Sequence, residues 1–273
     1  MKLGFVTCVQ LGISCMEAIY KAAGKLQVAI TLKDEKAKNK SGRVYLDDFC
    51  KSNSIDLIKI DHINDDYVID VIKKYDLDWL FIIGWSQIAN KRLLDAPKSG
   101  VLGMHPTLLP KGRGRASIPW AIIKGLDETG VTLFKLDEGV DTGCILSQYK
   151  IPLTDSTSSS ELYSSVNNAH VSLMTSIIPK ILNGSVTLEE QNNADATEWE
   201  ARTPKDGEID LNDSVITAER LVRATTKPYP GAFIMINGQK NIVWMARLAS
   251  EHSENLCLEF KDGLLECIQW ELA

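Results

Sequence analysis

Long apolar runs are missing from this sequence of 273 residues. No stretch approaches the ~18 consecutive apolar residues that a membrane-spanning helix needs, so we expect no membrane association. The opening segment, MKLGFVTCVQLG, has no basic start and no cleavage-site pattern, and it therefore does not resemble a signal peptide. These two absences lead us to expect a cytoplasmic protein.

Basic residues are also fewer than acidic residues in this sequence. The 30 Lys and Arg residues are outnumbered by 36 Asp and Glu residues, which gives a formal net charge of −6. Nucleic-acid-binding proteins usually carry a basic excess, so we expect no nucleic-acid partner. Residues 33–43 are a local exception, with five basic side chains against two acidic ones, but a solvated charged loop is the simpler explanation.

Motifs for metal, nucleotide-phosphate and hydrolase sites are absent as well. The four histidines lie far apart, and the six cysteines include no CxxC pair, so we expect no metal site and reduced cysteines. Neither GxxxxGK[ST] nor GxGxxG occurs, and the GxSxG elbow of serine hydrolases is missing too.

Strand-like and helix-like segments alternate through the first two thirds of the chain. The run WLFII at residues 79–83, ended by Gly84, is apolar on both faces, which is typical of a central parallel strand. This alternation predicts an α/β fold with an open, mostly parallel sheet. Its ligands would lie beyond the carboxyl ends of the strands. The composition changes near residue 200, and the Asn237-Gly238 pair predicts a hairpin in an antiparallel β region.

Candidate chemistry concentrates in two loops, HPTLLPKGRGR at residues 105–115 and DEGVDTG at residues 137–143. His105 and Asp141 are the candidate pair. An imidazole and a carboxylate can deprotonate an amine or water and stabilise charge on a carbonyl oxygen. From the pattern alone the alternative stays open that His105 is a structural histidine and Asp141 an ordinary turn residue.

These motifs resemble the formyltransferase family that uses N10-formyltetrahydrofolate. The similarity lies in HPTLLP with the following RGR and in DEGVDTG, and it continues into ARTPKDGEIDL and VRATTKPYPGAF. The resemblance implies a Rossmann-like catalytic domain over residues 1–200 and a small OB-like β domain over residues 201–273. It also implies N10-formyltetrahydrofolate as co-substrate, with no metal.

Site residues follow from the same resemblance. His105 and Asp141 match the catalytic histidine and aspartate of the family. The family's asparagine, which helps to hold the formyl oxygen, falls on Gly103, and we expect Gly103→Asn to lower turnover because the site is adapted to glycine. The folate is expected to contact Trp85, Gln87, Ile88, Asp137, Glu138 and Val140. The expected contacts to the other substrate are Arg113, Trp120 and Tyr229.

The acceptor implied by the resemblance is a primary amine on a nucleotide-linked amino (dideoxy) sugar, because RGRASIPWAIIKG and PYPGAF look most like the sugar-nucleotide N-formyltransferases. Methionyl-tRNA formyltransferase is the alternative, although its C-terminal module is usually larger and its surface more basic. A non-catalytic folate or nucleotide-sugar binding protein is an alternative of another class, favoured only by Gly103. A homodimer is compatible with the sequence.

Overall fold

A computed structural model describes residues 1–37 and 42–273. In chain order the strands are β1 (Leu3–Val6), β2 (Leu26–Leu32), β3 (Asp56–Ile60), β4 (Trp79–Ile82), β5 (Gly100–His105), β6 (Arg113–Gly114), β7 (Glu128–Lys135), β8 (Ile145–Pro152), β9 (Glu198–Trp199), β10 (Ala232–Ile236), β11 (Gln239–Ala249), β12 (Leu256–Phe260) and β13 (Gly263–Leu272). The helices are α1 (Gln10–Lys21), α2 (Asp34–Ala37), α3 (Asp47–Ser52), α4 (Asp66–Lys74), α5 (Lys91–Leu94), α6 (Ser117–Ile123), α7 (Ser159–Leu182) and α8 (Val215–Thr225).

The chain divides into two compact units whose segments alternate along the sequence. The first unit contains residues 1–113, 130–150 and 167–197, and the second contains residues 114–129, 151–166 and 198–273. A single cut at residue 200 does not describe these units, because α6 packs on α8 in the second unit. The division into domains 1–200 and 201–273 stays a prediction.

The first unit is built on a seven-stranded sheet with the order β3-β2-β1-β4-β5-β7-β8. Neighbouring strands in the part β3-β2-β1-β4-β5 of this sheet are parallel. Strand β7 runs antiparallel to β5. Every residue of β4 is buried, as its apolar sequence predicts. The expected open, mostly parallel α/β sheet is confirmed.

The antiparallel pairing of β5 and β7 sets the course of the loop at residues 137–143. His105 lies opposite Thr132 and Leu102 lies opposite Lys135, so the carboxyl end of β7 is beside the amino half of β5. The loop does follow the carboxyl end of a strand, as expected. It must nevertheless run back along β5 before it reaches His105, because β7 points the other way.

The second unit contains a four-stranded antiparallel sheet with the order β10-β11-β13-β12. The turn between β10 and β11 is the predicted Asn237-Gly238 pair, and both residues have positive φ, at 50° and 78°. Apolar residues of α8, including Ala218 and Val222, pack with buried residues of the sheet such as Val243. The antiparallel β character expected for this region is confirmed.

Among the helices of residues 1–37 and 42–273, none combines the length and apolarity required to cross a bilayer.

A buried carboxylate on β13 binds β11 and the segment that follows it. The Glu266 side chain is 4% exposed, and its oxygens accept hydrogen bonds from Ser253 Oγ (2.6 Å), Asn255 Nδ2 (2.8 Å) and Arg247 Nε (2.6 Å). These donors stabilise the ionised form and lower the pKa of Glu266 to about 2. Folding therefore favours the carboxylate.

We expect this carboxylate to stabilise the protein only above mildly acidic pH. A depressed pKa stabilises the folded state above the ordinary value of 4.5, and this stabilisation is lost as the pH falls towards about 2. The difference in melting temperature between the wild type and Glu266→Gln should therefore be largest above pH 4.5 and should shrink below it. Glu251→Gln, at an exposed position, is the control and should show little difference at any pH. A Glu266→Gln effect that does not change with pH would contradict this assignment.

Candidate active site

His105 ends β5, and its side chain is 10% exposed. Its Nε2 lies 2.8 Å from the carbonyl oxygen of Gly112. A carbonyl can only accept a hydrogen bond, so Nε2 carries a proton and donates it. The neutral ring therefore has its lone pair on Nδ1, which is the nitrogen left to take part in chemistry.

Asp141 faces that nitrogen. Its Oδ2 lies 3.5 Å from His105 Nδ1, and the two side chains are 19% and 10% exposed. This separation exceeds the ~2.7–2.9 Å of a charge-assisted hydrogen bond. The structure thus places two proton acceptors side by side near the surface, where both could accept from the N–H groups of one amine.

A threonine on the neighbouring strand holds the loop that follows His105. Thr132 Oγ1 donates to the carbonyl of Thr107 (2.7 Å) and accepts from the backbone N–H of Leu109 (3.0 Å). Gln148 Nε2 donates to the Leu109 carbonyl (2.7 Å) and to Thr132 Oγ1 (2.9 Å). The chain after His105 is therefore fixed by β7 and β8.

Residues 189–197, which we call the strap, hold the same loop from another direction. Thr197 Oγ1 accepts from the N–H of Gly112 (2.9 Å), and the Thr197 carbonyl accepts from the N–H of Arg113 (2.9 Å). At the other end of the strap, Glu189 and Ile145 exchange two backbone hydrogen bonds of 2.8 and 2.9 Å. Sequence reasoning missed the strap because its polar residues form no motif.

Arg113, a predicted substrate contact, is 6% exposed. Its Nε and Nη2 donate to Gln191 Oε1 at 3.1 and 2.8 Å, and Nη2 also donates to Asn193 Oδ1 at 2.8 Å. Within residues 1–37 and 42–273 no carboxylate pairs with it, so neutral oxygens surround this buried cation. A role in substrate binding stays a prediction.

Three of the predicted folate contacts lie just beyond β4. Trp85 packs on Cys8 and Leu32, and its buried Nε1–H has no acceptor in the described part of the chain. Gln87 is anchored, since Oε1 accepts from the N–H of Ile63 at 2.8 Å. The apolar side chain of Ile88 is 76% exposed, so it is available to a ligand.

The other three predicted folate contacts lie on the loop that carries Asp141. Asp137 Oδ1 accepts from the N–H of Gly139 (3.1 Å) and from Thr142 Oγ1 (2.7 Å), so its carboxylate shapes the loop. Glu138 Oε2 lies 3.7 Å from Lys91 Nζ in a surface ion pair. Val140 is 65% exposed. Each of these contacts stays a prediction.

Trp120 and Tyr229, the remaining predicted substrate contacts, belong to the second unit. Trp120 Nε1 donates to the Glu200 carbonyl at 2.8 Å, and the Arg202 guanidinium lies 4.8 Å from a Trp120 ring centroid. Burial raises the pKa of Tyr229 to about 12, which keeps its hydroxyl protonated at neutral pH.

The space beside Gly103 is occupied by an apolar side chain. A Cβ at this position would lie 2.7 Å from Leu136 Cδ2 and 3.2 Å from its Cγ. Gly103 is not among the glycines with positive φ, so its lack of a side chain matters here and its backbone freedom does not. Leu136 thus occupies the space into which a side chain at position 103 would extend.

Comparison with known proteins gives two family matches. Residues 19–178 match the family described as formyl transferase, and residues 202–264 match the formyl transferase C-terminal domain. The first match alone covers more than half of the chain.

One similar protein is the bifunctional polymyxin resistance protein ArnA of Wigglesworthia glossinidia brevipalpis, which is 30% identical over 94% of this chain. The chain spans only 39% of the length of that relative. Methionyl-tRNA formyltransferase of Lachnospira eligens is 26% identical, over 96% of this chain and 84% of that protein.

A solved N-formyltransferase from Helicobacter canadensis, in complex with folinic acid and dTDP-3-aminofucose, superposes with a TM-score of 0.72. The two chains are 22% identical, and the superposition covers 99% of this chain and 100% of that one. At this identity the likeness shows a shared fold.

The close contact at Gly103 predicts a destabilising substitution. Gly103→Asn should lower the free energy of unfolding by about 1 kcal/mol, because the added Cβ must displace the partly buried side chain of Leu136. Leu136→Ala in the same chain should remove most of that penalty. Urea unfolding of both single variants and the double variant measures the coupling. Strictly additive effects would show that Leu136 does not occupy the space that asparagine needs.

Proposed function

Because the chain belongs to the formyl transferase family, we propose that it moves the formyl group of N10-formyltetrahydrofolate to the primary amine of a nucleotide-linked amino sugar. The family expected from the sequence is confirmed, and with it the expectation that the chain is a formyltransferase enzyme. The observation that carries the proposed mechanism is the His105–Asp141 pair at 3.5 Å.

The folate donor supplies an electrophilic formyl carbon when bound, and the acceptor's neutral amine attacks that carbon. Asp141 takes the amine proton, directly or through a water. Its carboxylate and the neighbouring His105 Nδ1 each accept a hydrogen bond from one N–H group of the amine. The pair thus holds the amine with its lone pair free for attack. As the new C–N bond forms, the bond from the formyl carbon to N10 breaks, N10 leaves with the proton that the amine gave up, and no covalent enzyme intermediate is required.

His105 stabilises the negative charge that develops on the formyl oxygen. Its Nε2–H is already donated to Gly112, so the donor to the oxygen is a proton on Nδ1. Nδ1 starts with a lone pair and gains this proton when the proton removed from the amine passes on from the Asp141 carboxylate, 3.5 Å away. This role of His105 stays a prediction, and the hydrogen bond from Nε2 to Gly112 supports Nδ1 as the nitrogen involved.

Folate binding is supported by the surfaces of two loops. Ile88 and Val140 are apolar and largely exposed, as side chains that line a ring-binding site would be before the ligand covers them. The buried Trp85 Nε1–H also lacks an acceptor in residues 1–37 and 42–273, which a bound group could supply. The Helicobacter canadensis protein was solved with folinic acid, a formylated folate.

A sugar acceptor is supported by the full-length likeness to a protein solved with dTDP-3-aminofucose. The charge pattern agrees with this acceptor. In the basic segment at residues 33–43, Lys33 pairs with Asp61, and Arg43 Nη2 lies 3.2 Å from Asp34 Oδ1, so acidic neighbours partly offset these two positive charges. Lys38 and Lys40 of that segment lie outside the described residues.

Methionyl-tRNA is the second candidate acceptor. The alignment with the Lachnospira eligens enzyme covers most of both chains, which is the observation that favours it.

We expect His105→Ala and Asp141→Asn each to lower kcat by at least ~10²-fold, the usual scale for a positioned acid–base group. Formyl transfer to an amino-sugar nucleotide can be followed by product mass. His252→Ala, at an exposed histidine of the second unit, is the control and should keep the wild-type rate. A variant of either site residue that folds and retains a near-normal rate would remove that residue from the mechanism.

The acceptor is tested by competition between amines. With formylated folate, the protein should formylate an amino-sugar nucleotide and leave methionyl-tRNA unmodified. Efficient formation of formyl-methionyl-tRNA would instead identify the second candidate as the function. Folate binding without transfer to either acceptor would support the non-catalytic binding protein.

A further inference from the structure

The side-chain amide of Gln191 makes hydrogen bonds at both of its ends. Oε1 accepts from Arg113 Nε and Nη2 at 3.1 and 2.8 Å. Nε2 donates to the carbonyl oxygens of Asp141 and Gly143, each at 2.8 Å. One amide on the strap therefore connects a buried guanidinium to the backbone of the turn that carries Asp141.

The conformation of that turn explains why such a contact matters. Asp141 has φ +54°, a left-handed conformation that is uncommon for a residue other than glycine and persists where the surroundings hold it. At the neck of the loop the N–H of Lys135 donates to the Cys144 carbonyl at 2.8 Å, and a Cβ on Gly143 would come within 1.7 Å of the Lys135 carbonyl oxygen. The neck is fixed by backbone contacts, and Gln191 supplies a contact at the apex.

The orientation of the Gln191 amide is determined by its partners. A guanidinium can only donate, so Oε1 must face Arg113. The two N–H groups then face the turn, where both partners are carbonyl oxygens and can only accept. The backbone is held as well, because Glu189, two residues earlier, is bonded to Ile145 at the start of β8.

We propose that Gln191 is a positioning residue for the reaction: it fixes the Asp141 backbone so that the carboxylate stays beside His105 Nδ1. Gln191 acts through the turn, since its polar contacts are to Arg113 and to two backbone carbonyls. The inference rests on the proposed formyl transfer and adds a residue that no motif contains.

Gln191→Glu tests this role with little change in shape. The carboxylate keeps an acceptor for Arg113 and adds an ion pair, so the fold should survive. The two donors are replaced by an oxygen that repels the carbonyls of Asp141 and Gly143. We expect kcat to fall at least ~10-fold, because small misplacements of a reacting group have large kinetic effects, while KM for both substrates stays within about 3-fold.

Asn193→Asp is the matched control. It makes the same amide-to-carboxylate change on the same guanidinium, but within the described residues its side chain makes no hydrogen bond to the turn, so kcat should change less than about 3-fold. Equal losses in the two variants would assign the effect to Arg113 and overturn the proposal.

Two further measurements separate positioning from a general structural role. In an Asp141→Asn background, Gln191→Glu should have little further effect on kcat, whereas a role independent of Asp141 would give additive losses. Hydrogen exchange of residues 137–144 should be faster in Gln191→Glu than in the wild type and unchanged in Asn193→Asp.

Unchanged exchange and a wild-type kcat in Gln191→Glu would overturn the proposal. A wild-type protein without transfer activity would instead count against the proposed function. The hydrogen-exchange result would still test whether Gln191 holds the turn that carries Asp141.

Discussion

The antiparallel pairing of β7 with β5 is the constraint from which the geometry around His105 follows. It places Thr132 opposite His105, and this threonine holds the loop after the histidine. It also places the carboxyl end of β7 beside the amino half of β5, away from His105. The chain must return along β5, and in doing so it lays Leu136 over Gly103 and brings Asp141 to the histidine.

Neutral polar side chains supply many of the hydrogen bonds that hold the two loops in place. Hydroxyls and amides of Thr132, Gln148, Gln191 and Thr197 bond to backbone groups of the loops that carry His105 and Asp141. Such bonds are directional, and they add no charge to the site. Residues on loops gain in this way the precision that a proton-transfer site requires.

The contact between Gly103 and Leu136 changes how the reacting oxygen can be stabilised. The family's asparagine would add one donor, typically worth about 2.7–4 kcal/mol where it operates. Here an apolar side chain takes its space, and the proposed mechanism relies more heavily on His105. The loss of one donor is thus coupled to the packing of a residue on a different segment of the chain.

Much of this protein was determined by local sequence. The apolar run at residues 79–83 predicted the buried strand β4, and the Asn237-Gly238 pair predicted the turn between β10 and β11. The two loop motifs identified His105 and Asp141, because those motifs are contiguous. Tertiary structure alone decided which nitrogen of His105 faces Asp141, which residue fills the space beside Gly103 and which amide holds the turn. Gln191 is 50 residues from Asp141 in the chain, and no periodicity or motif links residues that meet only when strands and strap are packed together.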